Sequence, residues 1–345
     1  MKIKILLFVT VLILSASISF SQDNNFVSNV SKRGTTAAPF LSISEGARAT
    51  AMGSAFVAVS DDRSAFFWNP AGLAKLDGVG ILFDHTNWFA GLAYNYIAAS
   101  YNLGGMGTIG FSFLSSSYGD MKVTTVDAPE GTGQIFSVSD VAFSIGYALN
   151  LTDNFAIGFN PKIIYQSIWE AKAVGFAADL GVQYRTPFEG IILGMSISNF
   201  GTKMQMQGNS TLVIYDPDLS TSGNNGKIAA NLSTDYWSLP LNFRVGLAYS
   251  PISSENNKVT IAVDALHPSD NYESVNVGGE YVFHDIIAIR GGYKALFLSS
   301  SEEKYSLGFG LKQVMLGNVV IRFDYAYQDF GRLNNIQKFT LGIAF

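Results

Sequence analysis

The chain has 345 residues, of which 14% are charged and 48% hydrophobic, with 26 Phe and 16 Tyr; an average soluble domain is about 25% charged. Its formal net charge of −5 excludes nucleic acid as a partner, because binding to phosphates needs an excess of Lys and Arg. The absence of cysteine excludes a disulfide framework, a thiolate nucleophile, a zinc–cysteine site and a lipoprotein anchor.

Residues 1–21 read as a secretory signal. Lys2 and Lys4 supply the positive start, residues 5–14 the apolar core, and Ser19 and Ser21 the small residues before a cut ahead of Gln22. About ten apolar residues are too few to span a bilayer. Losing Lys2 and Lys4 moves the net charge from −5 to −7. Beyond residue 20 no stretch approaches the roughly 18 uninterrupted apolar residues of a membrane helix. Apolarity scattered over short segments, with 34 Gly, points to strands, and strands in hydrocarbon must close into a barrel so that every backbone amide is paired.

Residues 22–76 precede the first strand, and within them residues 42–76 are Ala-rich and do not alternate. Short helices and turns are expected, folded into the periplasmic end of the lumen as a plug; about fourteen strands enclose enough space to accept one. Pro70 fixes its own φ and biases Asn69 away from helix, the Asn69 side chain can bond its downstream backbone, and Gly72 permits a turn. The Asn69-Pro70-Ala71 turn is then either a rigid connection or a gate. Arg48 with Asp61 or Asp62 is either a pair that holds the plug or a set of separately solvated charges.

Residues 77–345 divide into about fourteen strands of roughly nine to eleven residues, the length a tilted strand needs to cross a bilayer. Short turns at Gly104-Gly105 and residues 152–154, 186–190, 250–257, 284–286 and 316–318 alternate with longer connections at 118–137, 167–174, 200–239, 267–272, 296–303 and 328–335. Short periplasmic turns against longer outward loops, with an even strand count, describe an all-β transmembrane antiparallel barrel. Both termini are expected on the periplasmic side. Large side chains such as Val141, Phe143, Ile145 and Tyr147 alternate with Ala142, Ser144 and Gly146, so the large face meets lipid.

The same phase puts Arg244, Asp264, Glu280, Arg290, Arg322 and Asp324 in the lumen, as one ion-pair network that stiffens the wall or selects a substrate. A three-residue connection, His284-Asp285-Ile286, sets Glu280 opposite Arg290. A cross-strand pair of this kind contributes about 0.2 to 1 kcal/mol, so Glu280→Ala is expected to cost little. The last strand carries Phe339, Leu341, Ile343 and Phe345 on one face and ends on an aromatic residue, which looks like the signal read by the barrel assembly machinery.

Enzyme signals are poor. The run from Gly105 to Gly110 matches G-x-G-x-x-G but leads from a turn into a strand, with no helix to face a phosphate. His85, His267 and His284 accompany no nucleophile or metal-binding motif, so no catalysis, metal or cofactor is expected.

The combination Gly46-Ala47-Arg48, Met52-Gly53, Asp61-Asp62 and Trp68-Asn69-Pro70-Ala71-Gly72-Leu73 resembles the PorV/PorQ family of outer-membrane proteins, which are in turn similar to the FadL fatty-acid transporters. Val277-Gly278-Gly279-Glu280-Tyr281 and Arg290-Gly291-Gly292-Tyr293-Lys294 look like the family's C-terminal strands. The resemblance implies a role in type IX secretion, with cargo proteins or secretion-system subunits bound at the outer loops. In the FadL branch the Asn-Pro-Ala belongs to a hatch, a role carried here to Asn69, Pro70 and Ala71. The Gly-Ala-Arg and Trp-Asn-Pro context points toward PorV/PorQ, whereas Gly72-Leu73 is at home in FadL-like members. The alternative functions are therefore a channel for hydrophobic small molecules, such as long-chain fatty acids, and a purely structural surface barrel.

Overall fold

Alternation decides the architecture. The computed structural model describes residues 31–218, 220, 227–298, 301–315 and 319–345, and within them fourteen antiparallel strands form one closed wall. In chain order these are β1 (Val79–Asn87), β2 (Ala93–Asn102), β3 (Thr108–Ser117), β4 (Ile135–Thr152), β5 (Phe155–Ile168), β6 (Ala171–Arg185), β7 (Ile191–Gly201), β8 (Asn242–Ser253), β9 (Asn257–Pro268), β10 (Ser274–Phe283), β11 (Ile287–Leu296), β12 (Tyr305–Val314), β13 (Val320–Asp329) and β14 (Asn335–Ala344). Each pairs with its neighbours in sequence. Closure comes from β1 against β14, with Ile81 opposite Ile343 and Phe83 opposite Leu341. The Phe345 N–H donates to the Val79 carbonyl at 2.8 Å, so the chain end belongs to the seam. The expected signal segment, residues 1–21, and the expected turn at 316–318 lie outside the described residues.

The two faces differ as the period-two pattern requires. On β11, Ile287 and Ile289 project outward, Ile289 at 62% exposure, while Ala288 and Arg290 are buried inward. Large apolar side chains repeat this around the outside, and such a continuous apolar band belongs in lipid.

Connections at one end are short, and this turn end also carries Phe345. The opposite end carries the long connections, residues 118–134 and 202–241 among them; the latter includes a two-stranded ribbon of Leu212–Tyr215 and Ile228–Asn231. The segment 167–174, expected as a loop, instead continues β5 and β6 to a tight connection at Trp169 and Glu170. Strands β4, β5 and β6 have 18, 14 and 15 residues and so overshoot the ten or so typical of the others.

The plug fills the lumen along its length rather than only its turn end. It enters at the loop end, where the Ala37 N–H donates to the Ser238 carbonyl and the Thr36 hydroxyl to Asp270. From there it runs through a one-turn helix, Ala47–Ala51, a short helix, Ala65–Trp68, and a 3-10 segment, Pro70–Lys75, to Gly78 beside Phe345 at the turn end. Thr36 and Ala37 therefore lie at the end opposite Phe345, while the N-terminus expected on the periplasmic side lies outside the described residues. The cause is geometric: the segment must traverse the whole lumen to cover its polar wall.

Candidate functional site

The wall is cut to fit the plug. Four cross-strand pairs of inward glycines face it: Gly110 with Gly146, Gly158 with Gly181, Gly194 with Gly246, and Gly278 with Gly292. A Cβ at Gly158 would overlap the Pro70 carbonyl carbon, one at Gly181 the Asn69 side chain, one at Gly194 the Val57 carbonyl, and one at Gly278 the Met52 carbonyl. These wall positions lack side chains because the plug occupies that space.

Polar side chains then satisfy the plug's irregular backbone, as burial requires. Asp264 accepts from the Phe56 and Val57 N–H groups at 2.7 and 2.9 Å. Ser306 accepts from the Gly53 N–H and donates to the Ala51 carbonyl, and Asn276 donates to the Ser54 carbonyl. Asn69 is the hinge of the turn: its Nδ2 donates to Val57 in the plug and Val182 in the wall, both at 3.0 Å, while its Oδ1 accepts from the Ala71 N–H at 3.2 Å. Pro70, Ala71 and Gly72 are buried behind it, with Gly72 packed against Ser60.

Charge fastens the plug at a second level. Arg48 reaches Asp61 and Asp62 within the plug and, through Nε and Nη2, both oxygens of Glu280 at 2.8 Å. Glu280 stands opposite Arg290 in the β10–β11 register and accepts from its Nε at 2.6 Å; Arg290 also donates to Asp324 at 2.7 Å. Burial raises the Asp61 carboxyl, yet Arg48 outweighs it and holds the group below its ordinary value. Arg244 and Asp264 stand apart from this cluster. The Arg244 guanidinium lies 5.2 Å from the ring centres of Phe67 and Trp68, because the plug separates these strands from the others. Arg322 makes no ion pair among the described residues. The single network expected from strand phase is thus divided by the plug.

Further polar groups share the inward phase. Lys162 bridges Asp179 at 2.7 Å and Asn199 at 2.9 Å; Asp179 occupies the small-residue face of β6 with Ala173, Gly175, Ala177 and Gly181, so the alternation argument reaches it too. Lys338, fully buried, donates to the Ser44 carbonyl and the Thr86 hydroxyl. Beside it Glu45, with no partner for either oxygen among the described residues, is pushed by burial up to about 8, although Lys338 opposes the shift.

What remains empty is informative. Between the plug and the β2–β7 wall, a cavity beside Phe66, Phe67 and Tyr96 measures about 30 Å³, room for one or two water molecules. Cavities of about 300 and 280 Å³ lie at the turn end and are lined by charged side chains.

A closed strand wall with an apolar exterior, short turns at one end and a seated luminal plug defines a plugged outer-membrane β-barrel. Residues 27–210, more than half of the chain, match the family described as Type IX secretion system protein PorV, and the chain belongs to that family. Among solved structures it is similar to the Pseudomonas putida toluene transporter TodX, with a TM-score of 0.54 and 14% identity over 87% of this chain and 96% of that one. The Ralstonia pickettii toluene transporter TbuX gives 0.53 and 13% over 87% and 97%. The CymD monoaromatic hydrocarbon channel gives 0.52 and 13% over the same shares. At these identities the likeness concerns the fold. No curated protein matches the chain in sequence.

Proposed function

We propose that this chain is a non-enzymatic barrel that assists protein export or attachment by type IX secretion, exported through a signal peptide cut before Gln22 and inserted by the barrel assembly machinery. Its work is binding, at the loop end, of secreted cargo or of a neighbouring secretion-system subunit. The observation that carries this reading is the seated plug: it rests on wall glycines and leaves about 30 Å³ beside the β2–β7 wall, while the larger spaces, of about 300 and 280 Å³ at the turn end and about 430 Å³ at the loop end, lie at the two mouths of the lumen. A pathway for a hydrocarbon needs a continuous apolar cavity of a few hundred Å³. The loop end supplies contact surface instead, with Ile214 at 75% and Tyr236 at 63% exposure.

Deleting the gene tests this directly. Secreted proteins are expected to fall in the medium while uptake of a long-chain fatty acid stays unchanged. Loss of uptake with intact secretion would overturn the reading in favour of a channel resembling the hydrocarbon transporters in function as well as fold.

A further inference from the structure

Most luminal cations of the turn end are neutralised where they stand. Arg48 serves Asp61, Asp62 and Glu280, Arg290 serves Glu280 and Asp324, and Lys312 meets Asp285 at 2.5 Å. Three that share one cavity are not. Arg63, from the plug, has buried Nε and Nη2 atoms without a hydrogen-bond partner, and Arg322 and Lys75 make no ion pair among the described residues. All three line the same cavity of about 280 Å³.

The wall makes room for them. Gly80 lies directly beneath the Arg63 guanidinium, where a Cβ would overlap it, and Gly342 stands opposite Arg322 across the β13–β14 pair. Ala344 continues this small-residue face. The carboxylates on the same lining are already engaged: Asp61 and Asp62 by Arg48, and Asp324 by Arg290. Asp77 stands exposed on the lining. A cavity lined by cations that no carboxylate pairs favours a charged acceptor.

We propose that Arg63, Arg322 and Lys75 form an anion-binding site at the periplasmic end of the lumen, taking a small oxyanion such as phosphate. Arg322 donates to its oxygens in the planar geometry that suits phosphoryl groups, and Arg63 and Lys75 add positive charge. Occupation ties the plug, through Arg63 and Lys75, to β13, through Arg322.

The test uses the full protein in detergent micelles, with inorganic phosphate titrated at constant ionic strength and thermal unfolding followed by gel mobility. Phosphate should raise the wild-type midpoint in a saturable manner. Arg63→Gln and Arg322→Gln should each weaken that response about tenfold or more, the scale of a lost charge-assisted hydrogen bond. Without phosphate, both variants should melt no lower than wild type, since each removes one of two facing cations. Arg322→Lys, which keeps the charge, should retain most of the response, and Lys172→Gln on the outer face all of it. Equal phosphate responses in wild type and both Gln variants, or a midpoint lowered by them in phosphate-free buffer, would mean that the arginines only support the fold. Failure of secretion in the gene deletion has no bearing on these binding curves.

Discussion

At the scale of single residues, burial multiplies what a cross-strand ion pair is worth. Read as an isolated pair, Glu280 and Arg290 suggest a loss of a few tenths of a kcal/mol to about 1 kcal/mol on truncation. The structure adds Arg48, so Glu280 neutralises two guanidiniums at 2% side-chain exposure. Removing one member of a buried ionic cluster costs about 3 to 5 kcal/mol, chiefly because the partners keep their charge without compensation. Glu280→Ala is therefore expected to lower unfolding stability by that amount and to loosen the plug, read by denaturant titration and by protease access to residues 47–62. Glu45 presents the opposite case. Its carboxyl is raised to about 8, so the folded barrel holds a proton that the unfolded chain releases near 4.5. Folding stability from this group falls as pH rises between those values. Glu45→Gln should then stabilise the barrel at pH 8 by about 1 to 3 kcal/mol, the cost of an unsatisfied buried polar group, and change little at pH 4. Equal effects at both pH values would show that Glu45 ionises freely in the fold.

At the scale of elements, glycine position separates packing from mere flexibility. Gly278 and Gly279 are neighbours on β10, as are Gly291 and Gly292 on β11, yet only Gly278 and Gly292 face the plug. A Cβ at Gly279 would find its nearest neighbour at 3.8 Å, and one at Gly291 at 3.5 Å. Gly278→Ala and Gly292→Ala should each cost about 1 to 3 kcal/mol by overpacking, while Gly279→Ala and Gly291→Ala should be near neutral; melting of the four variants checks the contrast. The alternation that makes such phases legible fails where a strand leaves the apolar band. The stretch 167–174 looks like a loop because Lys172 breaks the run of large outward residues, although Ala171, Ala173 and Gly175 continue the small inward face. The strands there outrun the apolar band, so hydrophobicity fades before the hydrogen-bond ladder does. The plug was recognisable as different, since residues 42–76 have neither period. Its route was not, because Ala-rich backbone seated on glycines leaves no pattern in its own sequence; the complementary signal is the inward glycine on facing strands.

At the scale of the whole molecule, the two functional readings differ in whether the plug moves. A channel must open, and opening breaks Arg48 from Glu280, the Phe56 and Val57 amides from Asp264, and Asn69 from the Val182 carbonyl. A docking barrel needs none of this, because its contacts form at the loops. The chain has no cysteine, so a single engineered pair can ask the question without side reactions. Ala51→Cys with Ser306→Cys joins plug to wall where the Ser306 hydroxyl now donates to the Ala51 carbonyl at 3.1 Å, beside Gly308, which packs against the Ala51 side chain. Oxidised cells are expected to secrete as well as reduced ones, and purified barrels in planar bilayers should show the same low conductance in both states. Secretion that stops on oxidation and returns with dithiothreitol would establish that the plug must leave its seat, and a static docking role would have to be abandoned.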